Sequence, residues 1–204
     1  MPKRLPGSKV QVSPSSLTDD QVACQQLERY SRQISGLIDQ SLRRARLAGE
    51  GGARYFNPHR DVPDLLDVLR QLYRDRGLDI ASGELPNQIL PLDHEDMLEL
   101  LGNLLDNAIK YTPDGGEIRL GLTCAGTSIE LTVSDNGPGI PLAQRHAVFR
   151  RFVRLGSELE RSTPGTGLGL SISYGIIERH GGHIEVESEP GRGTRFRVTL
   201  PVRL

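Results

Sequence analysis

Apolar residues recur at steps of three and four at Val22, Leu27, Tyr30, Ile34, Leu37, Ile38, Leu42 and Leu47. This spacing predicts one long amphipathic helix over about residues 18–48 with a single apolar stripe, which Thr18 or Asp19 can cap. Such a helix cannot bury its stripe alone. It must pack on the domain that follows, on sequence outside the chain or on a second copy of itself. Residues 1–17, with Pro2, Pro6, Gly7 and Pro14, read as a flexible arm. Gly49-Glu50-Gly51-Gly52 ends the helix and opens a linker over 49–54, leaving 55–204 as the main domain.

In that domain Asp61-Val62-Pro63 predicts a helix start, with Leu65, Leu66, Leu69 and Leu72 inward and Gly77 as the stop. Short strands are expected at 78–81 and 88–92. Asp93 caps a helix over 94–111 whose inward series is Met97, Leu98, Leu101, Leu104, Leu105 and Ala108. Residues 117–123 and 128–134 alternate with the period of half-buried strands. A helix is expected over 144–154, a mobile loop over 156–169, and a helix over 170–180 stopped by Gly181-Gly182. Residues 184–188 and 194–201 should form a closing hairpin. The pattern predicts an α+β two-layer sandwich: a mixed, largely antiparallel sheet covered on one face by helices.

Charge narrows the partners. The chain has 25 basic and 26 acidic residues, a formal net charge of -1. No global field argues for nucleic acid, so any anion site must be local. Cys24 and Cys124 are far apart and read as free thiols of a reducing compartment. No apolar run approaches the ~20 residues that span a bilayer. The expected location is cytoplasmic, with any inner-membrane anchor in sequence beyond this chain.

Three groups of residues carry candidate chemistry. Asp135-Asn136-Gly137-Pro138-Gly139-Ile140 follows a strand that delivers Asp135 at its end. Alone, it could be a plain strand-to-helix turn. Gly165-Thr166-Gly167-Leu168-Gly169-Leu170 precedes a helix, where converging N–H groups and the helix dipole favour phosphate. Asn103, Asn107, Lys110 and Tyr111 fall on one side of the helix over 94–111. They are either surface polar residues beside a core stripe or a ligand set. Amide oxygens suit Mg²⁺, and Lys110 suits a phosphate.

Taken together, these stretches resemble the histidine-kinase ATPase (Bergerat) fold. The run from Asn103 to Thr112 looks like its N box, Asp135 to Ile140 its G1 box, Phe149 to Arg154 its F box, and Gly165 to Leu170 its G2 box, in family order. The resemblance implies ATP and Mg²⁺ as cofactors. Asp135 would accept the adenine amino group, with Gly137, Gly139 and Ile140 lining the base pocket. Asn103 and Asn107 would hold Mg²⁺ and the phosphates, flanked by Lys110 and Tyr111. Gly165, Thr166, Gly167, Leu168, Gly169 and Leu170 would meet the phosphates from the lid, and Thr194 would close the base pocket. Arg151 and Arg154 match basic F-box positions, Arg154 as the γ-phosphate partner, while Phe149 and Phe152 anchor the lid by packing. Asp106 is either an aid to proton transfer or a solvated helix carboxylate.

The family's phosphoacceptor His, followed by an acidic residue and a nearby Pro on a dimerising helix, has no counterpart here. His59, His94, His146, His180 and His183 all lack that setting and are expected to be structural or surface residues. The helix over 18–48 looks like the second half of the dimerisation hairpin, its first half and His lying elsewhere. The resemblance thus implies a kinase domain passing the ATP γ-phosphoryl to that His, with a response regulator as downstream partner and a homodimer in the full-length protein. Protein serine kinases of the anti-sigma-factor type and ATP-binding pseudo-kinases are alternatives.

Overall fold

The structure, a computed structural model, describes residues 55–150 and 167–202. The arm, the helix expected over 18–48, the linker and most of the loop expected over 156–169 lie outside the described residues. Strands β1 (Tyr55–Phe56) and β3 (Leu90–Asp93) pair antiparallel as a small ribbon. The main sheet has the order β2-β4-β5-β7-β6, with β2 Asp79–Ser82, β4 Glu117–Ala125, β5 Ser128–Asp135, β6 His183–Glu189 and β7 Gly193–Pro201. β2 runs parallel to β4 and the remaining pairs are antiparallel, so the sheet is mixed and largely antiparallel as expected.

Alternation along the strands puts Ile118, Leu120 and Leu122 of β4, Ile129, Leu131 and Val133 of β5, and Phe196, Val198 and Leu200 of β7 on one buried face. Helices α1 (Pro58–Leu72), α2 (His94–Tyr111) and α3 (Gly169–Arg179) supply the other half of the core. The opposite sheet face is charged: Arg197 lies 3.3–3.8 Å from Glu130, Glu185 and Glu187. Such exposed pairs contribute about 0–1 kcal/mol each. Among the described residues no helix is long and apolar enough to cross a membrane.

α2 has its predicted span and cap, but its inward row also takes in Leu100 and Ile109, while Leu98 is only partly buried. The Asp93 carboxylate accepts from the Asp96 N–H at 2.9 Å, filling one of the open donors of the first turn. Met97, Leu100, Leu101, Leu104, Leu105 and Ile109 are fully enclosed. At the far end Pro113 disfavours helical backbone at Thr112. Arg76 donates to the carbonyls of Ile109 (2.7 Å) and Thr112 (2.6 Å), which the helix itself leaves open.

Two expectations need correction. α1 begins at Pro58, ahead of the expected start at 61–63, and Pro63 sits inside it. The Asp61 side chain turns back to accept from the Asn57 N–H at 2.8 Å, which winds the chain one turn sooner. The helix expected over 144–154 is not formed in its described part. Leu142–Gln144 and Ala147–Phe149 are single 3₁₀ turns. Only Val148 there is buried, Leu142 is exposed, and the Arg145 guanidinium is drawn to the carbonyls of Ile140 and Ser188. No continuous apolar stripe exists to hold an α-helix.

Asp61 also ties the start of the domain to α2. It and His94 are buried (5% and 4% exposed), with His94 Nε2 3.3 Å from Asp61 Oδ2 and Arg60 Nε donating to Oδ1 at 2.9 Å. Burial alone would raise the carboxyl pKa, but hydrogen bonds from His94, the Asn57 N–H and Arg60 outweigh it and hold it below the usual value. A carboxyl depressed in the folded state contributes stability above its unfolded pKa and loses it as pH falls through the folded one. Asp61→Asn should therefore cost about 1–3 kcal/mol at neutral pH. The gap to wild type should narrow below about pH 4. Denaturant titrations at pH 7 and pH 3 check this; equal gaps would show that the charge is not what stabilises the junction.

Candidate functional site

The site is assembled where α2 meets α3. Asn103 and Asn107 lie on the α2 side that does not face the sheet core, and their Nδ2 atoms are enclosed without a hydrogen-bond partner. A buried amide with an empty end is costly, so this arrangement calls for a ligand. The first residue of α3, Gly169, rests on them. A Cβ there would lie 3.4 Å from Asn103 Oδ1 and 3.7 Å from Asn107 Nδ2, so the helix start sits in contact distance of both amides. No side chain caps α3, whose preceding residue is Leu168. Its first-turn N–H groups and dipole thus face the amides uncapped, and an anion between them would receive donors from both helices.

The same α2 surface carries Asp106, Lys110 and Tyr111. Lys110 Nζ is 2.5 Å from Asp106 Oδ2, with side chains only 16% and 20% exposed. Asp106 Oδ1 accepts from the Tyr73 hydroxyl at 2.9 Å. Asp106 is therefore engaged at both oxygens rather than solvated. Tyr111 is 39% exposed, an accessible ring at the end of the row.

The second half of the site forms at the end of β5. Asp135 Oδ1 accepts from the N–H of Gly137 (2.8 Å) and, across the sheet, from that of Thr194 (3.3 Å). Burial raises its carboxyl pKa, and those two hydrogen bonds pull the other way. Both use one oxygen, which leaves Oδ2 to accept from a ligand N–H. A cleft of about 670 Å³ at this end of the sheet is lined by Asp135, Ser188 and Thr194 together with Ser134, Glu187 and Arg195 of the charged face. The loop after Asp135 is locked by the turn between β6 and β7: the Gly191 N–H donates to Pro138 O at 2.7 Å. Gly139 has φ +74°, and a Cβ there would come within 2.1 Å of Glu189 O. Only glycine allows that contact.

Of the predicted residues, Asn103, Asp106, Asn107, Lys110, Tyr111, Asp135, Gly137, Gly139, Ile140, Gly167, Leu168, Gly169, Leu170 and Thr194 are described and fall in these two clusters. Arg151, Arg154, Gly165, Thr166 and Phe152 lie outside the described residues. Phe149 packs as expected, its ring 6.1 Å from Tyr174 and 6.2 Å from Phe196. Sequence reading missed Ser188. Its hydroxyl accepts from the Ile140 N–H at 2.7 Å, donates to Gly193 O at 2.8 Å and lies 3.0 Å from Thr194 Oγ1. The signal was available, because Ser188 continues the inward row of Ile184 and Val186. Nothing in sequence flagged Tyr73 or Arg145, whose partners are distant in the chain.

Facing amides, an uncapped helix start and a strand-end carboxylate on an α+β sandwich define a nucleotide-binding ATPase domain. Residues 92–204 match the histidine kinase-, DNA gyrase B- and HSP90-like ATPase family, and the chain belongs to that family. It is 40% identical over 185 residues to the sensor protein kinase CarS of Pseudomonas aeruginosa, covering 90% of this chain and 39% of that protein. The catalytic domain of histidine kinase ThkA superposes with a TM-score of 0.64 at 27% identity, covering 74% of this chain and 97% of that one. Full-length ShkA in complex with AMPPNP gives a TM-score of 0.58 at 27% identity over 92% of this chain and 40% of that one. The chain spans about two fifths of the length of CarS.

Gly139→Ala should strain the loop by about 1–3 kcal/mol for the backbone conformation alone. The contact with Glu189 should also push Asp135 and the hairpin apart. Thermal unfolding and nucleotide binding measured on the same sample check this; unchanged values in both would show that the loop does not need the close approach.

Proposed function

We propose that this chain is the ATP-binding catalytic part of a two-component sensor histidine kinase. The observation that carries the proposal is the pair of enclosed, unpartnered amides of Asn103 and Asn107 beneath the uncapped start of α3. Asp135, at the end of β5, supplies a carboxylate suited to reading the base. The AMPPNP complex of the relative ShkA supports a nucleotide as the ligand, and the histidine kinases among the relatives, TmoS and ThkA, support a His acceptor rather than a Ser.

Each residue has a role in this reading. Asp135 accepts the adenine amino group, held in place by the N–H groups of Gly137 and Thr194. Gly137, Gly139, Ile140 and Thr194 wall the base. Gly165, Thr166, Gly167, Leu168, Gly169 and Leu170 bring backbone N–H groups to the phosphates. Asn103 and Asn107 have the chemistry to hold Mg²⁺ as well, with Lys110 beside them. When bound, the ion would offset charge on the phosphates. Arg151 and Arg154 add cationic charge from the lid, Arg154 toward the γ-phosphoryl group. Phosphoryl transfer depends mainly on positioning and electrostatics of this kind.

The phosphoryl acceptor is a His on a dimerisation helix outside these 204 residues. His94 and His180 are occupied by Asp61 and Asp96 respectively. His59 Nε2 lies against Leu85 O. A response-regulator Asp then receives the group, and the complete protein works as a homodimer, anchored to a membrane only through further sequence.

Asp135→Asn replaces the accepting oxygen pattern and should weaken ATP binding at least tenfold, the scale of a charged hydrogen bond. Calorimetry checks it, and an unchanged affinity overturns the base-pocket assignment. Labelled ATP incubated with the chain alone should yield no acid-labile phosphohistidine. Adding a dimerisation hairpin of a sensor-kinase relative, with its His, should yield it. Label on the chain itself would overturn the placement of the acceptor, and no transfer to the hairpin would overturn the kinase reading.

A further inference from the structure

The nucleotide site has a support that reaches outside its motifs. Tyr73 follows α1 directly and packs against the core, 33 residues before Asp106. Its hydroxyl donates to Asp106 Oδ1 at 2.9 Å, and Asp106 Oδ2 holds the Lys110 ammonium at 2.5 Å. The three form a relay, phenol to carboxylate to ammonium, ending in the row of Asn103 and Asn107. Burial, and after it the Asp106 charge, keep the Tyr73 phenol above its ordinary pKa, so it remains a hydrogen-bond donor. One residue turn further on, Arg76 is fixed by the carbonyls of Ile109 and Thr112 and by Asp114 at 2.8 Å. The connection after α1 thus grips the last turn of α2 at several points.

We propose that Tyr73 and Asp106 are positioning residues for the nucleotide phosphates, acting through Lys110. This rests on the nucleotide site argued above and adds to it. A free lysine chain carries rotamer entropy that phosphate binding would have to offset. Here Lys110 is already held in a mostly enclosed place by its carboxylate partner, Asp106. The carboxylate also opposes an approaching phosphate. Tyr73 answers that conflict, because its donated hydrogen bond draws charge from Asp106 and leaves Lys110 less tightly neutralised. Asp106 then works without touching the reacting atoms.

The test compares ADP with adenosine, which lacks the phosphates, by calorimetry on the whole chain. Tyr73→Phe should weaken ADP binding roughly 3- to 10-fold, the size of one ordinary net hydrogen bond, because it acts on the phosphates only through Lys110. Adenosine affinity should stay unchanged, and the ADP effect should vanish in a Lys110→Met background. Asp106→Asn should likewise change ADP affinity only while Lys110 is present, and it reads the same coupling if Tyr73→Phe fails to fold. Equal losses for ADP and adenosine, or effects that persist without Lys110, would overturn the relay. A wild-type chain that binds neither ligand would instead overturn the nucleotide site, and the relay with it.

Discussion

Everything in this domain hangs on α2 being buried on one side and needed on the other. Its apolar series, from Met97 to Ile109, fills the space above the sheet, while Asn103, Asn107 and Lys110 turn to the ligand side. Such a helix cannot shift to accommodate a nucleotide without opening the core. The protein answers by securing both ends. At the first turn Asp96 pairs with Arg179 and with His180 Nε2, which joins the end of α3 to the start of α2. At the last turn Arg76 and Thr112 close the open carbonyls.

That rigidity defines the binding chemistry. With α2 fixed and α3 joined to it at the far end, Gly169 is held over the two amides, and the open N–H groups of α3 keep a constant aim. Orphaned donors in such a place cost stability while nothing is bound. On the proposed reading they need no rearrangement when a phosphate arrives, and the cost is returned as affinity. Asp135 follows the same logic at the other cluster. It is kept in a buried position that disfavours its charge, with its remaining oxygen directed by hydrogen bonds from Gly137 and Thr194.

The β6–β7 hairpin is the less obvious partner in this arrangement. Its turn and Ser188 hold the loop after Asp135 through Pro138, Gly139 and Ile140. On the proposed reading, base recognition therefore depends on the β6–β7 pair as much as on the motif itself. On the outer face the Arg197 network with Glu130, Glu185 and Glu187 keeps the same strands charged, with the apolar residues confined to the helix side.

Sequence by itself determined what depends on local pattern. The Asp93 cap, the inward series of α2, the alternation of β4 and β5, and the four motifs in order were legible because period and spacing state which way a side chain points. The same rules failed over 144–150, where apolar residues without a stripe suggested a helix and tertiary contacts of Arg145 drew the chain into short turns. They also misplaced the start of α1, because the return of Asp61 to Asn57 depends on a buried pairing with His94. Only the tertiary structure decided that Tyr73 meets Asp106, that Ser188 meets Ile140, and that Glu189 demands glycine at 139. Periodicity specifies a direction, whereas the partner waiting there is set by how distant elements pack.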